Sequence, residues 1–284
     1  MSVVVPFRGD EAAAGRLASN LEALELGPHD ELIVADNADS RTSLTPPSGG
    51  QRATFAPGRV VRTTGERSSY HARNVGAARA AGEWLLFIDS DCVPDPGILD
   101  TYFASPPHSE VGALAGAVLT DPAQGSFLAR YAEDRSFLDQ DVGLHTAGDA
   151  AATANLLVRR TAFDELGGFA EGIRSGGDVD FCRRLLDAGW SIERRPDAVV
   201  HHLHRESLLD LMGSIARYAA GARWLNERYP GTAPRWPLVH GLALCARDIT
   251  LDLGRLRFER AAFRGVDALG MFAHVIGYSR SNAA

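Results

Sequence analysis

Not one lysine occurs in the 284 residues, so all 29 Lys/Arg-type cations are arginines. Schiff-base chemistry and a phosphate-binding loop of the G-K-[ST] type are thereby excluded. Cysteine is nearly as scarce. Cys92, Cys182 and Cys245 are odd in number and far apart, which excludes a disulfide framework or a zinc-binding set and fits a reducing compartment. No apolar run reaches the length a bilayer span requires. The opening residues 2–5 read as a strand rather than a secretory leader, so the expected location is cytoplasmic. A dense cationic stripe is also missing: the formal net charge is −7, which argues against nucleic acid as a partner.

What is present is ordinary for a globular chain, 45% hydrophobic and 23% charged, and long enough for one large α/β domain with a small appendage. Short β-branched runs at 3–5, 32–35, 60–61, 84–88, 111–118, 155–159 and 198–200 alternate with helical patterns at 11–24, 70–81, 161–166 and 178–188. That order predicts a mostly parallel central sheet flanked by helices, with ligands beyond the carboxyl ends of the strands. Residues 41–57 read as a polar surface loop, and residues 92–96 as a turn. Beyond Ser207 the chain becomes helical and amphipathic, with Leu208, Leu211, Met212, Ile215 and Tyr218 on one face. We expect a main domain over residues 1–206 and a helical C-terminal extension over 207–284. Arg247, Arg255, Arg257, Arg260 and Arg264 punctuate the extension. Packing on the main domain is the first reading of it, and peripheral contact with the inner face of a membrane the second.

Four constellations carry chemistry. The apolar run 84–88 ends abruptly in Asp89-Ser90-Asp91, which delivers two carboxylates to the sheet's rim. Such close acids repel unless a cation joins them, and hard divalent ions such as Mn²⁺ or Mg²⁺ prefer oxygen ligands. Gly176-Gly177-Asp178-Val179-Asp180 opens a helix, where a carboxylate can cap amides or act as a general base; residues two apart face different ways, so Asp178 and Asp180 are not expected to share one task. His201-His202-Leu203-His204 follows a strand-like run, and alternation points His202 and His204 to one side. Finally, Asp36 ends a strand and Arg73 opens a helix, an acid suited to a ribose or base and an arginine suited to a diphosphate or base carbonyl.

Taken in order, residues 2–6, 32–36, 72–76, 87–91, 155–160 with 167–169, and 177–180 resemble the inverting family 2 glycosyltransferases of the GT-A fold, over about residues 2–207. The resemblance implies transfer of a sugar from a nucleotide-diphosphate donor, a UDP-sugar by default, to an acceptor hydroxyl of unknown identity. It implies that Pro6 and Phe7 border the base, that Asp36 and Arg73 hold the nucleoside, and that Asp89 and Ser90 face the donor. Asp89, Asp91 and His202 would hold Mn²⁺ or Mg²⁺, with His204 as a substitute ligand, and Asp178 would be the catalytic base. The family commonly has Glu before that Asp, whereas Gly177 stands here. Residues 121–148, including Arg130, Tyr131, Asp134, Arg135 and His145, are expected to border the acceptor cleft. Two other readings compete: a phosphoaspartate-type hydrolase, disfavoured by the missing lysine, and a non-catalytic nucleotide-sugar-binding partner.

Overall fold

The computed structural model describes residues 1–38, 58–138, 140, 150–233 and 235–284. Eight strands form one mixed sheet: β1 (Ser2–Phe7), β2 (Glu31–Asp36), β3 (Arg59–Arg62), β4 (Trp84–Ile88), β5 (Cys92–Pro94), β6 (Val111–Thr120), β7 (Asn155–Arg159) and β8 (Ser191–His202), in the order β3-β2-β1-β4-β7-β6-β8-β5. The first four positions are parallel. β7 then runs antiparallel to both β4 and β6, and β8 runs parallel to β6. Two reversals restore the original direction, so β8 ends on the same rim as β4. This topology brings His202 towards the Asp89–Asp91 turn although more than a hundred residues separate them.

Strand alternation sorts the core to the two sheet faces. Val3, Val5, Phe7, Leu86 and Ile88 pack with α1 (Glu11–Leu21) and α3 (Ile98–Tyr102). Val4, Leu85 and Phe87 pack on the other face with residues of α2 (Ser69–Ala77), α5 (Arg160–Glu165) and α6 (Gly177–Asp187). Sheets covered on both faces produce such continuous apolar strands. Leu85 to Ile88 are fully buried; burying each such side chain stabilises the fold by about 1.5–3 kcal/mol. That anchorage fixes the start of the acidic turn.

Helix starts follow their caps. Asp10 accepts from the Ala13 amide at 2.8 Å to begin α1, and Ser68 accepts from the Tyr70 and His71 amides to begin α2. Both helices stop short of their expected ends at 24 and 81. Each closes in a tight turn, with Leu24 N–H bonding the Leu21 carbonyl and Ala80 N–H the Ala77 carbonyl. Residues 92–94, expected in a turn, form a short edge strand antiparallel to β8. β8 itself is twelve residues long, because its charged first half pairs with β6 across an irregular register near Gly116. The expected loop at 41–57 and His145 lie outside the described residues.

α4 (Phe127–Asp134) precedes β7, and three helices close the fold: α7 (Leu208–Arg228), α8 (Leu238–Gly254) and α9 (Phe258–Tyr278). α9 packs against both α7 and α8. The last residues return to the main body, where Asn282 Nδ2 bonds the Ser175 carbonyl at 2.9 Å and Ala284 N–H the Gly172 carbonyl at 3.1 Å. This tail braces the loop that leads into α6. No helix among the described residues is long and apolar enough to cross a membrane.

Candidate active site

At the rim, Asp91 N-terminal to β5 lies beside the end of β8, whose chain is tied there by the Leu203 amide bonding the Asp91 carbonyl at 2.8 Å. Asp91 Oδ1 is 3.5 Å from His202 Nε2, and with Cys92 Sγ these ligand-capable atoms lie within 4.8 Å of one another. His202 Nδ1 is buried with no hydrogen-bond partner among the described residues. The His204 ring lies 4.8 Å from that of His202, tilted 53° to it, and its Nε2 is engaged by Thr120 Oγ1 at 3.0 Å. Burial and the neighbouring His202 hold the His204 imidazole down to about 4. His201 turns the other way, to Asp95 at 3.1 Å. The alternation expected from the sequence is therefore present, and His202 is the imidazole free to serve Asp91. Carboxylate with imidazole suits Mn²⁺, and the carboxylate alone suits Mg²⁺ as well; the Cys92 thiol is a soft ligand that matches neither ion.

Asp89 points elsewhere, into an ion pair with Arg73 Nη2. Arg73 is 3% exposed, and its Nε and Nη1 have no hydrogen-bond partner among the described residues. Buried guanidinium donors without acceptors are costly, so their position beside Asp89 points to a ligand oxygen. Arg73 also lies over the Tyr70 ring at 5.5 Å and acts electrostatically on Asp178. Tyr70 Oη donates to Asp178 Oδ1 at 3.4 Å, and burial pushes the Tyr70 phenol up, so it stays protonated. Burial also holds the Asp178 carboxyl above its ordinary range, opposed by the Val179 amide and Arg73 and reinforced by Asp89. Residues 73, 89 and 178 thus share one electrostatic neighbourhood. Tyr218 of α7 feels the charge of both Asp89 and Asp91.

The two acids that open α6 have separate tasks. Asp180 is fully buried and bound by Arg184 Nε at 2.8 Å, Tyr229 Oη at 2.9 Å and Arg228 Nε at 2.9 Å, an arrangement that joins α6 to the end of α7. Asp178 keeps a partly open carboxylate. Gly177 is glycine because a Cβ there would sit 2.8–2.9 Å from the Tyr70 ring, so the tyrosine occupies the space of the missing side chain. Gly168, at φ +76, likewise lies where a Cβ would meet Asn74 Oδ1 at 2.7 Å. That asparagine clamps the next residue, accepting from Phe169 N–H and donating to its carbonyl, both at 2.9 Å. We expect Asp180→Ala to lower stability by about 2–4 kcal/mol, because three donors lose a shared acceptor, with a correspondingly lower midpoint in chemical denaturation. An unchanged midpoint would remove Asp180 from this structural role.

At the donor end, Pro6 and Phe7 finish β1, and both are buried; the Phe7 ring belongs to the core beneath α1. Asp36 is fully buried, accepts from the Ala38 amide at 3.0 Å and pairs with Arg62 Nη1 at 3.2 Å. Asn37 donates to the Glu66 and Ser68 carbonyls, fixing the approach to α2. Ser90 lies in the turn between the two acids, partly open. In contrast, Arg130, Tyr131 and Arg135 of the expected acceptor region are engaged by α9, through Glu259 and Asp267, and Asp134 pairs with Arg135. Three neighbours of the site were not anticipated. Tyr70, Arg62 and Arg205, whose Nη2 is 3.5 Å from Asp91 Oδ2, lie in no motif, and only the tertiary fold brings them in.

The family model described as "Glycosyltransferase like family 2" matches residues 1–224. A pre-mycofactocin glycosyltransferase of Mycobacterium tuberculosis is 29% identical over 265 residues, covering 90% of this chain and 54% of that protein. The chain spans about half the length of that relative. Among solved structures, the mannosyltransferase PcManGT from Pyrobaculum calidifontis, in complex with GDP-Man and Mn²⁺, superposes with a TM-score of 0.62 at 14% identity, covering 98% of this chain and 86% of that one. Glucosyl-3-phosphoglycerate synthase of Mycobacterium tuberculosis, with Mn²⁺, UDP-glucose and phosphoglyceric acid, gives 0.55 at 18% identity over 80% of this chain and 78% of that one.

Proposed function

The chain belongs to glycosyltransferase family 2, and from that membership we propose that it moves a sugar from a nucleotide-diphosphate donor to an acceptor hydroxyl with inversion. Residues 1–206 carry the chemistry in this reading, and 207–284 form its helical extension. The observation that supports it best is Arg73, a buried cation paired with Asp89 and acting on Asp178 that keeps two N–H donors without a partner among the described residues. Such donors suit the oxygens of a nucleotide diphosphate. Pro6, Phe7 and Asp36 would border the base and ribose, with Ser90 facing the donor. The UDP-sugar default comes from the family at large, and the structural neighbours named above carry GDP-Man and UDP-glucose in their own complexes.

Asp91 and His202 would hold Mn²⁺ or Mg²⁺, while Asp89, expected from the sequence as a third ligand, is turned to Arg73 and would face the donor. Bound there, the ion would supply Lewis acidity to the departing diphosphate. Asp178 accepts the acceptor's hydroxyl proton as that oxygen bonds the anomeric carbon, and the nucleoside diphosphate leaves with the electron pair of the broken bond. The proton becomes acidic only as the new bond forms, so a carboxylate is basic enough. Arg73 orients Asp89 and Asp178 and offers its free donors to the donor substrate. The hydrolase alternative loses its ground, since its one support was an Asp-x-Asp strand end, a feature this family shares.

Supplying nucleotide sugars of different base and sugar together with Mn²⁺, and following nucleoside diphosphate release, tests the proposal. Release from at least one donor is expected; donor binding without any release, with or without a hydroxyl acceptor, would favour the non-catalytic binder. The raised Asp178 carboxyl also sets a pH dependence. Its base form is lost as pH falls through a value above the ordinary carboxylate range, so the acid limb of kcat/KM should sit high. Tyr70→Phe removes a donor to the charged carboxylate, which should move that limb upward by about half to one pH unit. Superimposable profiles would show that the phenol does not act on the base.

A further inference from the structure

α8 is built inside out. Its Asp252 is buried and its Asp248 is half-buried between Arg247 and Arg264, while Val239 is 83% exposed and Leu244, Leu251 and Leu253 also face outward. α9 has a buried face through Phe263, Val266, Gly270, Ala273 and Gly277 and, about 100° round the helix from it, an exposed apolar stripe through Leu269, Phe272 and Ile276. A water-facing helix has the reverse pattern, and large exposed apolar side chains on two helices packed together mark an interaction site.

The turn between the helices says what the partner is. Arg257 N–H bonds the Asp252 carbonyl at 2.8 Å and Leu256 N–H the Leu253 carbonyl at 3.0 Å, the helix end that usually takes glycine. Leucine occupies that position here, at φ +56 and 74% exposed, followed by Phe258 at 64%. A leucine with positive φ and its apolar side chain in water runs against both backbone and solvent preference, which points to function. Arg255, Arg257 and Arg260 surround this tip, exposed and without an acidic partner among the described residues. Residues 238–284 contain six arginines against Asp248, Asp252, Glu259 and Asp267, in a chain whose formal net charge is −7.

We propose that the α8–α9 hairpin docks this chain on an anionic lipid bilayer, Leu256 and Phe258 entering the acyl boundary while Arg255, Arg257 and Arg260 take headgroup phosphates. The helices lie along the surface and do not cross it. Two copies paired about a two-fold axis would set these arginines against one another, whereas an anionic lipid surface complements them.

Sedimentation of the whole chain with phosphatidylcholine vesicles, and with vesicles mixing phosphatidylcholine and phosphatidylglycerol, tests this. Affinity for the mixed vesicles should be at least about tenfold higher and should fall with added salt. Leu256→Gly relieves the backbone strain while removing the tip, so it should melt no earlier than the parent protein yet bind the mixed vesicles more weakly; Phe258→Ser should weaken binding as well. Equal affinity for both vesicle types, or undiminished binding by the Leu256→Gly, Phe258→Ser double variant, would overturn the proposal. So would sedimentation equilibrium showing a dimer that Leu269→Glu dissociates, because the apolar face would then join two copies of this chain.

Discussion

Asp178→Asn is expected to reduce sugar transfer by about 10²–10⁴-fold while leaving donor binding close to that of the parent protein. The loss should come with no loss of stability. Burial holds the Asp178 carboxyl above its unfolded value, so its contribution to folding is full at low pH and is lost as pH rises through the folded value. At neutral pH the ionised, partly enclosed carboxylate therefore opposes folding, and a neutral amide of the same shape removes that opposition. Melting temperatures of the two proteins should differ in favour of Asp178→Asn at neutral pH and converge as pH falls. A variant that melts earlier and also loses donor binding would mark Asp178 as structural. One that turns over normally would remove it from the chemistry.

The second large effect belongs to Asp91. Asp91→Ala should weaken Mn²⁺-dependent binding of the donor nucleotide by at least about 10²-fold, because it takes away the carboxylate beside His202 and also frees Arg205 to repel a cation. Calorimetric titration of the nucleotide diphosphate, with and without Mn²⁺, measures this directly. His202→Ala should act in the same direction. His204→Ala should change metal dependence little, since that ring is engaged by Thr120. If Asp91→Ala bound donor as the parent does under both conditions, the cation assignment would fail.

The contrast between Asp178 and Asp180 shows how far a sequence can be read. Their spacing on a helix start predicts different directions, and the structure assigns Asp180 to a buried network with Arg184, Arg228 and Tyr229. The sequence could not name those partners, because two of them arrive from the far end of α7. Strand β4 was legible because an unbroken apolar run ends in acid, which survives any packing detail. By contrast, the first half of β8 was not: Glu193, Arg194, Arg195 and Asp197 look like a loop, and they form a strand only by pairing along β6. Residues 92–94 were missed for the same reason, as their pairing partner is β8 itself. Propensity is a weak guide wherever tertiary pairing decides.

Gly177 makes the point within the site. Its departure from the family pattern is visible in the sequence, yet its cause, the Tyr70 ring against its Cα, joins residues more than a hundred positions apart. The tyrosine both excludes a side chain there and reaches the neighbouring carboxylate. Likewise, the pairing of Asn74 with Phe169 explains why two separate motifs occur together: one clamps the turn formed by the other.

The central claim is that a divalent ion and a nucleotide diphosphate bind together at the Asp91–His202 rim. Melting curves of the unmodified protein with each common nucleoside diphosphate, with Mn²⁺, and with both, test it most directly, since a ligand that binds only the folded state raises its melting temperature. The account predicts a rise for at least one nucleotide that is much larger with Mn²⁺ than the two separate rises combined. Equal rises with and without the ion, or no rise with any nucleotide, would contradict it.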